Sequence, residues 1–395
     1  MDKIEIKEFD GQNDEAIKMA FYAFYPTPGD VESLTKLKSY FKDDTSFILY
    51  ENGKPVSAII CKPIPENVRG VIKPMCGLQN VATEPEARRK GYSKKLMIKS
   101  FEHMKEKNYV FSTLWPFKES YYEKFGYISF PQIRTAIFSP KQIVELLDKE
   151  LPGTVERYTF DEGFELFEKY IKELQNSIHG MGIKHTTEII RYKETAREWV
   201  AFAKSNNNVI GVMTFRVTGF WKEIKVRDFF YSNSLGKYLL LQFLAIHADQ
   251  VHEIHLMNII PDEHPETWTN DTFWGEKGKI INREWVPSCM GRIIQVEKMN
   301  GLNVGSGNIS VKIVDGYCDW NNRAFNLKSE GGVLKVTEVE QFDCELTIQG
   351  LSAIVYGCYN LDDFEFKGWG KLSSEAKEKF ETLFPKKAPF LYADF

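Results

Sequence analysis

Cysteine is scarce and scattered in this chain. Six residues (Cys61, Cys76, Cys289, Cys318, Cys344, Cys358) are spread over 395, and no two form a C-x-x-C pair. That spacing argues against a disulfide-stapled scaffold and a cysteine zinc site, and reads as reduced, mostly buried thiols in the cytoplasm. No uninterrupted apolar run approaches the roughly 18 residues that a membrane-crossing helix needs. No apolar region follows Met1-Asp2-Lys3-Ile4-Glu5, so no signal peptide is expected there. Positive charge is not in excess: 51 Lys and Arg against 55 Asp and Glu leave a net charge of −4 and no electrostatic case for nucleic acid. His252 and His255 form an H-x-x-H without further ligands, and strand spacing is expected to turn Glu253 elsewhere, so no metal is expected. Low-complexity linkers are also missing.

The chain does carry material for two to three domains, and three stretches differ in texture. Residues 1–145 alternate strand and helix signals. Ser46–Tyr50 and Val56–Ile60 flank an Asn52-Gly53 turn and predict a hairpin. Met75–Thr83 predicts a strand, Arg88–Lys107 an amphipathic helix with Leu96, Met97, Phe101 and Met104 on one face, and Tyr109–Leu114 the next strand. Residues 146–285 repeat that order weakly: a hairpin around Ser205–Asn208, a strand at Arg227–Tyr231, a glycine turn at Gly236, a helix, and a strand at Glu253–Met257. Residues 286–395 read as short strands followed by two helices, Leu346–Tyr356 and Ser374–Phe384.

Between strand and helix in the first stretch lies V-A-T-E-P-E-A-R-R-K-G-Y-S-K, residues 81–94. The first amides of a helix have no intrahelical partner and the dipole is positive there. Amides of Arg89, Lys90, Gly91, Tyr92 and Ser93 can therefore converge on a pyrophosphate. Gly91 lets the backbone approach closely, and Arg88 and Arg89 add forked cationic donors. A basic loop that merely opens a surface helix would look similar. A second segment, Tyr121-Tyr122-Glu123-Lys124-Phe125-Gly126-Tyr127, offers phenols, and a tyrosine hydroxyl with a pKa of about 10 can donate a proton.

Arg88, Gly91 and Ser93 fulfil an R-x-x-G-x-[small] pattern that resembles motif A of the GNAT N-acetyltransferase superfamily, although that family more often has Gly or Ala where Ser93 stands. Tyr122, Phe125, Gly126 and Tyr127 resemble its Y-x-x-x-G-[FY] segment. The resemblance implies acetyl-CoA as cosubstrate and no metal. Val81, Ala82 and Thr83 would lie along the pantetheine arm, and Phe117 and Lys118 would border its other side. Arg88, Arg89, Lys90, Gly91, Tyr92, Ser93 and Lys94 would hold the phosphates, and Tyr122 would protonate the departing thiolate. The copy around Gly236 has no arginine pair and is expected to bind no CoA.

The three parts together resemble the enhanced-intracellular-survival (Eis) type. That implies an α+β chain of tandem GNAT folds, mixed sheets flanked by helices, followed by a sterol-carrier-protein-like sandwich. The domains expected are 1–145 (GNAT), 146–285 (degenerate GNAT-like) and 286–395 (sterol-carrier-like). The resemblance further implies a homohexamer and acetylation of a small-molecule or peptidyl amine, such as an aminoglycoside, polyamine or lysine. It also makes the carboxylate of Phe395 the base. An α-carboxyl of pKa about 3.5 is weak against an ammonium of about 10. Desolvation raises it, and it can also act through water or hold the cationic substrate. A docked aromatic tail is the structural alternative. An alternative for the whole chain is a lipid carrier whose first domain only senses CoA. Asp30 and Glu32 sit where the acceptor groove would be but read as solvated charge, and His179 and His185 read as loop residues.

Overall fold

The computed structural model describes residues 3–11, 13–24, 42–183, 193, 197–274, 278–282, 287–393 and 395. Asp30, Glu32 and His185 lie outside them. The chain divides into two compact units, residues 1–130, 176–188 and 287–395 in the first and 131–175 and 189–286 in the second.

The first unit opens with β1 (Ile4–Asp10), α1 (Asp14–Phe24), β2 (Thr45–Glu51), β3 (Lys54–Val68) and β4 (Val71–Thr83). The hairpin turn has Asn52 and Gly53 at φ 52° and 80°, the left-handed pair that an Asn-Gly turn supplies. A helix, α2 (Tyr92–Glu106), leads to β5 (Phe111–Leu114), α3 (Glu119–Glu123) and β6 (Ile128–Ser129). β4 and β5 are parallel from Met75↔Phe111 to Leu78↔Leu114, and no pairing continues beyond. β4 runs on to Thr83 with one extra residue against β3, where Asn80 takes φ 53°. This bulge bends β4 where it leaves β5. The expected start of the long helix at Arg88 is corrected: Arg88 is extended and Arg89 and Gly91 have φ 64° and 80°, so helical geometry begins at Tyr92.

In the second unit, β7 (Arg134–Phe138), β8 (Thr154–Thr159), β9 (Trp199–Ser205), β10 (Asn208–Val217), β11 (Glu223–Tyr231), β12 (Glu253–Ile259) and β13 (Lys279–Asn282) form a sheet of order β13-β7-β12-β11-β10-β9-β8. Two helices, α4 (Phe160–Gln175) and α5 (Ser234–Ala245), belong to it. Its parallel pair, β11 with β12, occupies the place of β4 with β5. The boundary expected at residue 145 moves, because β7 is a strand of this sheet.

A strand from far down the chain, β14 (Met290–Ile293), completes the first sheet between β5 and β6, in the order β1-β2-β3-β4-β5-β14-β6. The remainder forms a four-stranded sheet, β17-β16-β15-β18, from β15 (Asn308–Val314), β16 (Ala324–Glu330), β17 (Val333–Val339) and β18 (Cys344–Thr347). Helices α6 (Ile348–Tyr356), α7 (Phe364–Lys367) and α8 (Ser374–Leu383) follow. Its core is continuous with one face of the first sheet through Ile64, Met75, Phe111, Leu351 and Tyr356.

Two buried polar knots tie this segment to the first sheet. The Arg69 guanidinium donates to the Val355, Ile354 and Pro385 carbonyls at 2.6, 3.0 and 3.1 Å. His179 is in a loop, as expected, but buried: its Nδ1 accepts the Arg69 amide at 3.0 Å and its Nε2 meets the Tyr356 carbonyl at 3.1 Å. Burial holds its pKa down at about 3. Glu66 is fully buried and receives the Tyr356 hydroxyl at 3.1 Å. Burial pushes its carboxyl up to about 8, against the opposing pull of that hydrogen bond.

A pH dependence follows. Glu66 keeps its proton in the folded chain but releases it at about 4.3 when unfolded. Its contribution to stability is therefore complete below that value and is lost as pH rises through about 8, at on the order of 1.4 kcal/mol per pH unit. Glu66→Gln should match the parent in urea unfolding at pH 4 and exceed it at pH 8. A difference independent of pH would refute a neutral Glu66.

Candidate active site

The loop before α2 presents its backbone without obstruction. No side chain caps the helix, its first turn has no acidic residue, and Gly91 is the N-cap. A Cβ at Gly91 would meet nothing within 4 Å, so the glycine serves the positive φ. Arg88 and Arg89 are exposed, and the Arg88 Nε donates to the Thr83 carbonyl at 3.2 Å. The side chains of Lys90 and Tyr92 turn elsewhere than phosphate binding would require. Lys90 Nζ lies 2.8 Å from the Glu51 carboxylate, and the Tyr92 hydroxyl donates to the same group. Lys90, then Tyr92, hold the Glu51 carboxyl below its usual range. They brace the loop on the hairpin. Lys94 is exposed, 5.6 Å from the Tyr317 ring centre.

The second unit shows what a closed version looks like. There the Asn233 side chain accepts the Gly236 amide at 3.0 Å, and a Cβ at Gly236 would stand 2.1 Å from the Ile210 carbonyl. The chain itself occupies that helix end.

Alternation along β4 divides the remaining residues. Cys76 and Leu78 face α2 and share a core with Leu114, Tyr122 and Tyr127. Gly77 faces the other way, and a Cβ there would lie 2.8 Å from the Phe395 ring. Tyr122 and Phe395 thus approach the end of the β4–β5 pair from opposite faces of the sheet. Val81 packs with the Tyr122 side and Ala82 with α1 on the other. The Thr83 hydroxyl lies 2.7 Å from that of Ser57.

Tyr122 is buried against Tyr121, Phe117 and Tyr127, at ring separations of 5.0, 5.7 and 6.2 Å. Its hydroxyl has no hydrogen-bond partner among the described residues, and burial raises its pKa well above the usual tyrosine value. It is protonated at neutral pH. The Tyr121 hydroxyl lies 2.7 Å from that of Ser93, tying this tyrosine pair to the start of α2. Phe117, 66% exposed, and Lys118 form the outer rim.

The last residues are tied down by backbone hydrogen bonds without forming a strand. The Phe390 amide donates to His179 O at 2.9 Å and the Ala393 amide to Gly182 O at 2.8 Å. The Trp115 indole donates to Ala393 O at 3.3 Å. Sequence reasoning missed this seat; its trace was the glycine pair Gly180 and Gly182, where a Cβ would strike Pro389 and Leu391. It also missed Gly77, Asn80 and Arg292. Among the described residues no three His, Cys, Asp or Glu side chains could hold a metal. Glu253 does not turn away from His255: two apart on β12, they share a face at 3.0 Å. No described helix is long and apolar enough to cross a membrane.

Comparison with known proteins agrees with this layout. No curated protein matches the sequence. Among solved structures, a probable N-acyltransferase of unknown function from Enterococcus faecalis V583 has TM-score 0.83 at 21% identity, over 100% of both chains. A GCN5-related N-acetyltransferase from Anabaena variabilis has TM-score 0.83 at 17% identity, over 99% of this chain and 100% of the other. Eis1 from Mycobacterium abscessus has TM-score 0.76 at 14% identity, over 100% of both. At these identities the likeness is one of fold, and the fold is the expected α+β arrangement of GNAT-type mixed sheets with a sterol-carrier-like end. Residues 6–129 match the acetyltransferase (GNAT) domain family and residues 296–392 the sterol carrier protein domain. The chain therefore carries a GNAT acetyltransferase domain followed by a sterol carrier protein domain.

Proposed function

We propose that the chain is an acetyl-CoA-dependent N-acetyltransferase of the Eis-like type, acting on a primary amine. The observation that carries this reading is the contrast between two equivalent helix ends: the one at Gly91 is uncapped and open, and the one at Gly236 is filled by Asn233 and Ile210. Open amides beside Arg88 and Arg89 suit a pyrophosphate. Beyond Leu78 the edge of β4 that faced β5 is unpaired, and amides from Val81 to Thr83 suit an extended pantetheine arm laid on as a strand.

Acetyl-CoA supplies an activated acetyl thioester; transfer forms a C–N bond and breaks the C–S bond. The Tyr122 hydroxyl gives its proton to the departing sulfur. The Phe395 carboxylate, from the opposite face, accepts the proton that the amine sheds, directly or through water. Amides of β4 donate to the carbonyl oxygen as charge develops there. The acceptor is a small or peptidyl amine; a net charge of −4 favours cationic partners. A cytoplasmic homohexamer is part of the same reading.

Thiol release from acetyl-CoA with a panel of polyamines, aminoglycosides and lysine peptides tests it. Turnover with no amine, beside tight fatty-acid binding, would favour a lipid carrier instead. Arg88→Ala with Arg89→Ala should raise the KM for acetyl-CoA about 100-fold or more with kcat little changed, since each lost charge-assisted donor costs about 1.5 kcal/mol or more. An unchanged KM removes the phosphate role.

A further inference from the structure

Arg292, in β14, is a large cation with no exposed surface, and its partner Asp315 is 1% exposed. Its Nη2 donates to the Asp315 carboxylate at 2.6 Å and to Cys318 Sγ at 3.3 Å. Its Nη1 donates to the Phe125 carbonyl, and its Nε to the Ile293 carbonyl at 3.1 Å. The guanidinium lies 4.5 Å from the Phe101 ring centre and 6.0 Å from that of Tyr127. Asp315 is itself fixed: one oxygen accepts the Tyr317 and Cys318 amides at 3.2 Å each, and the other accepts the Asn321 side-chain amide at 3.1 Å.

The held carbonyl belongs to the turn that closes on Tyr122. The Phe125 and Tyr127 amides both donate to the Tyr122 carbonyl, at 2.9 and 3.3 Å. Gly126 between them has φ 92°, and a Cβ there would stand 2.8 Å from Arg292 Nη1. The Tyr317 ring, from the loop after β15, packs on Phe125 at 4.8 Å. α3 has five residues and cannot fix its own place, so these contacts decide where Tyr122 stands. Apolar side chains of similar volume would fill the same space without the desolvation cost of two charges. What they would lack is a forked donor that ties one carbonyl to the sterol-carrier segment.

We propose that the buried Arg292–Asp315 pair is a positioning device for Tyr122, through which the sterol-carrier segment holds the proton donor in place; this rests on Tyr122 being that donor. The test places 3-fluorotyrosine at position 122, with a second probe at Tyr50 on β2 as a control within the same unit. Asp315→Asn and the neutral pair R292M/D315N are then compared with the parent by fluorine NMR. The expected result is one narrow line at 122 in the parent, broadened or split in both variants, with the Tyr50 line unchanged. A narrow line at 122 in the variants overturns the proposal. Loss of both lines together also overturns it, because the pair would then hold the whole unit. In turnover, D315N should cost about 10-fold in the parent and less than about twofold in Tyr122→Phe, since coupled residues are non-additive. Equal losses in both backgrounds refute positioning. Tyr122→Phe with full turnover would remove the donor role alone, and the fluorine spectra would still show separately whether the pair fixes the ring.

Discussion

Tyr122→Phe is expected to lower kcat by about 10²- to 10⁴-fold, the range a positioned general acid supplies, with the KM for acetyl-CoA within about twofold. The substitution isolates the proton. The Tyr122 hydroxyl makes no hydrogen bond among the described residues, and its ring is packed by Tyr121, Phe117 and Tyr127. Phenylalanine keeps that packing and leaves no buried partner orphaned, so the thermal midpoint should not move. Burial, which raises the Tyr122 pKa, keeps this hydroxyl protonated through neutral pH. The parent should therefore lose no activity on the alkaline side below about pH 10 through this group. The measurement is thiol release at saturating acetyl-CoA. Full activity in Tyr122→Phe would pass the role to another donor or to water.

How far the sequence reaches is shown by pairs of residues. The Asn52-Gly53 turn and the apolar period of α2 were legible because each is decided within a few residues. The glycine turn at Gly91 that opens α2 was legible for the same reason. The helix start was misplaced because Arg88 and Arg89 are good helix formers held extended and left-handed by tertiary context. β14 entering a sheet to which neither of its sequence neighbours belongs, and β7 pairing with β12 and β13, could not be seen, since strand pairing at that separation leaves no local mark. Arg292 is the clearest case. In sequence it is a lone arginine just after an expected domain boundary, and only folding brings Phe125 and Asp315 to it. Phe395 lies between the two: its aromatic side chain was visible in the sequence, its seat on Gly77 was not.

On the proposed role of Phe395 as the base, its deletion should lower kcat by about 10²-fold or more. The loss alone would not separate a base from a mere anchor, but Gly77 does. A Cβ at position 77 would lie 2.8 Å from two atoms of the Phe395 ring and 3.0 Å from Ile64 Cδ1. Gly77→Ala thus pushes the ring, and the carboxylate it carries, away from β4 without removing either. A displacement of about 1 Å at a reacting group can cost about 10²-fold, so Gly77→Ala should approach the deletion in kcat. The Ala393 amide and carbonyl remain tied to Gly182 and Trp115 on the N-terminal side of the deletion, so both variants should stay folded. In the chain already lacking Phe395, Gly77→Ala has no ring to strike and should change kcat less than about twofold. If the two changes instead multiply, Gly77 acts on something other than the terminal residue. If the deletion alone keeps full turnover, the tail is an anchor and the proton leaves by another route.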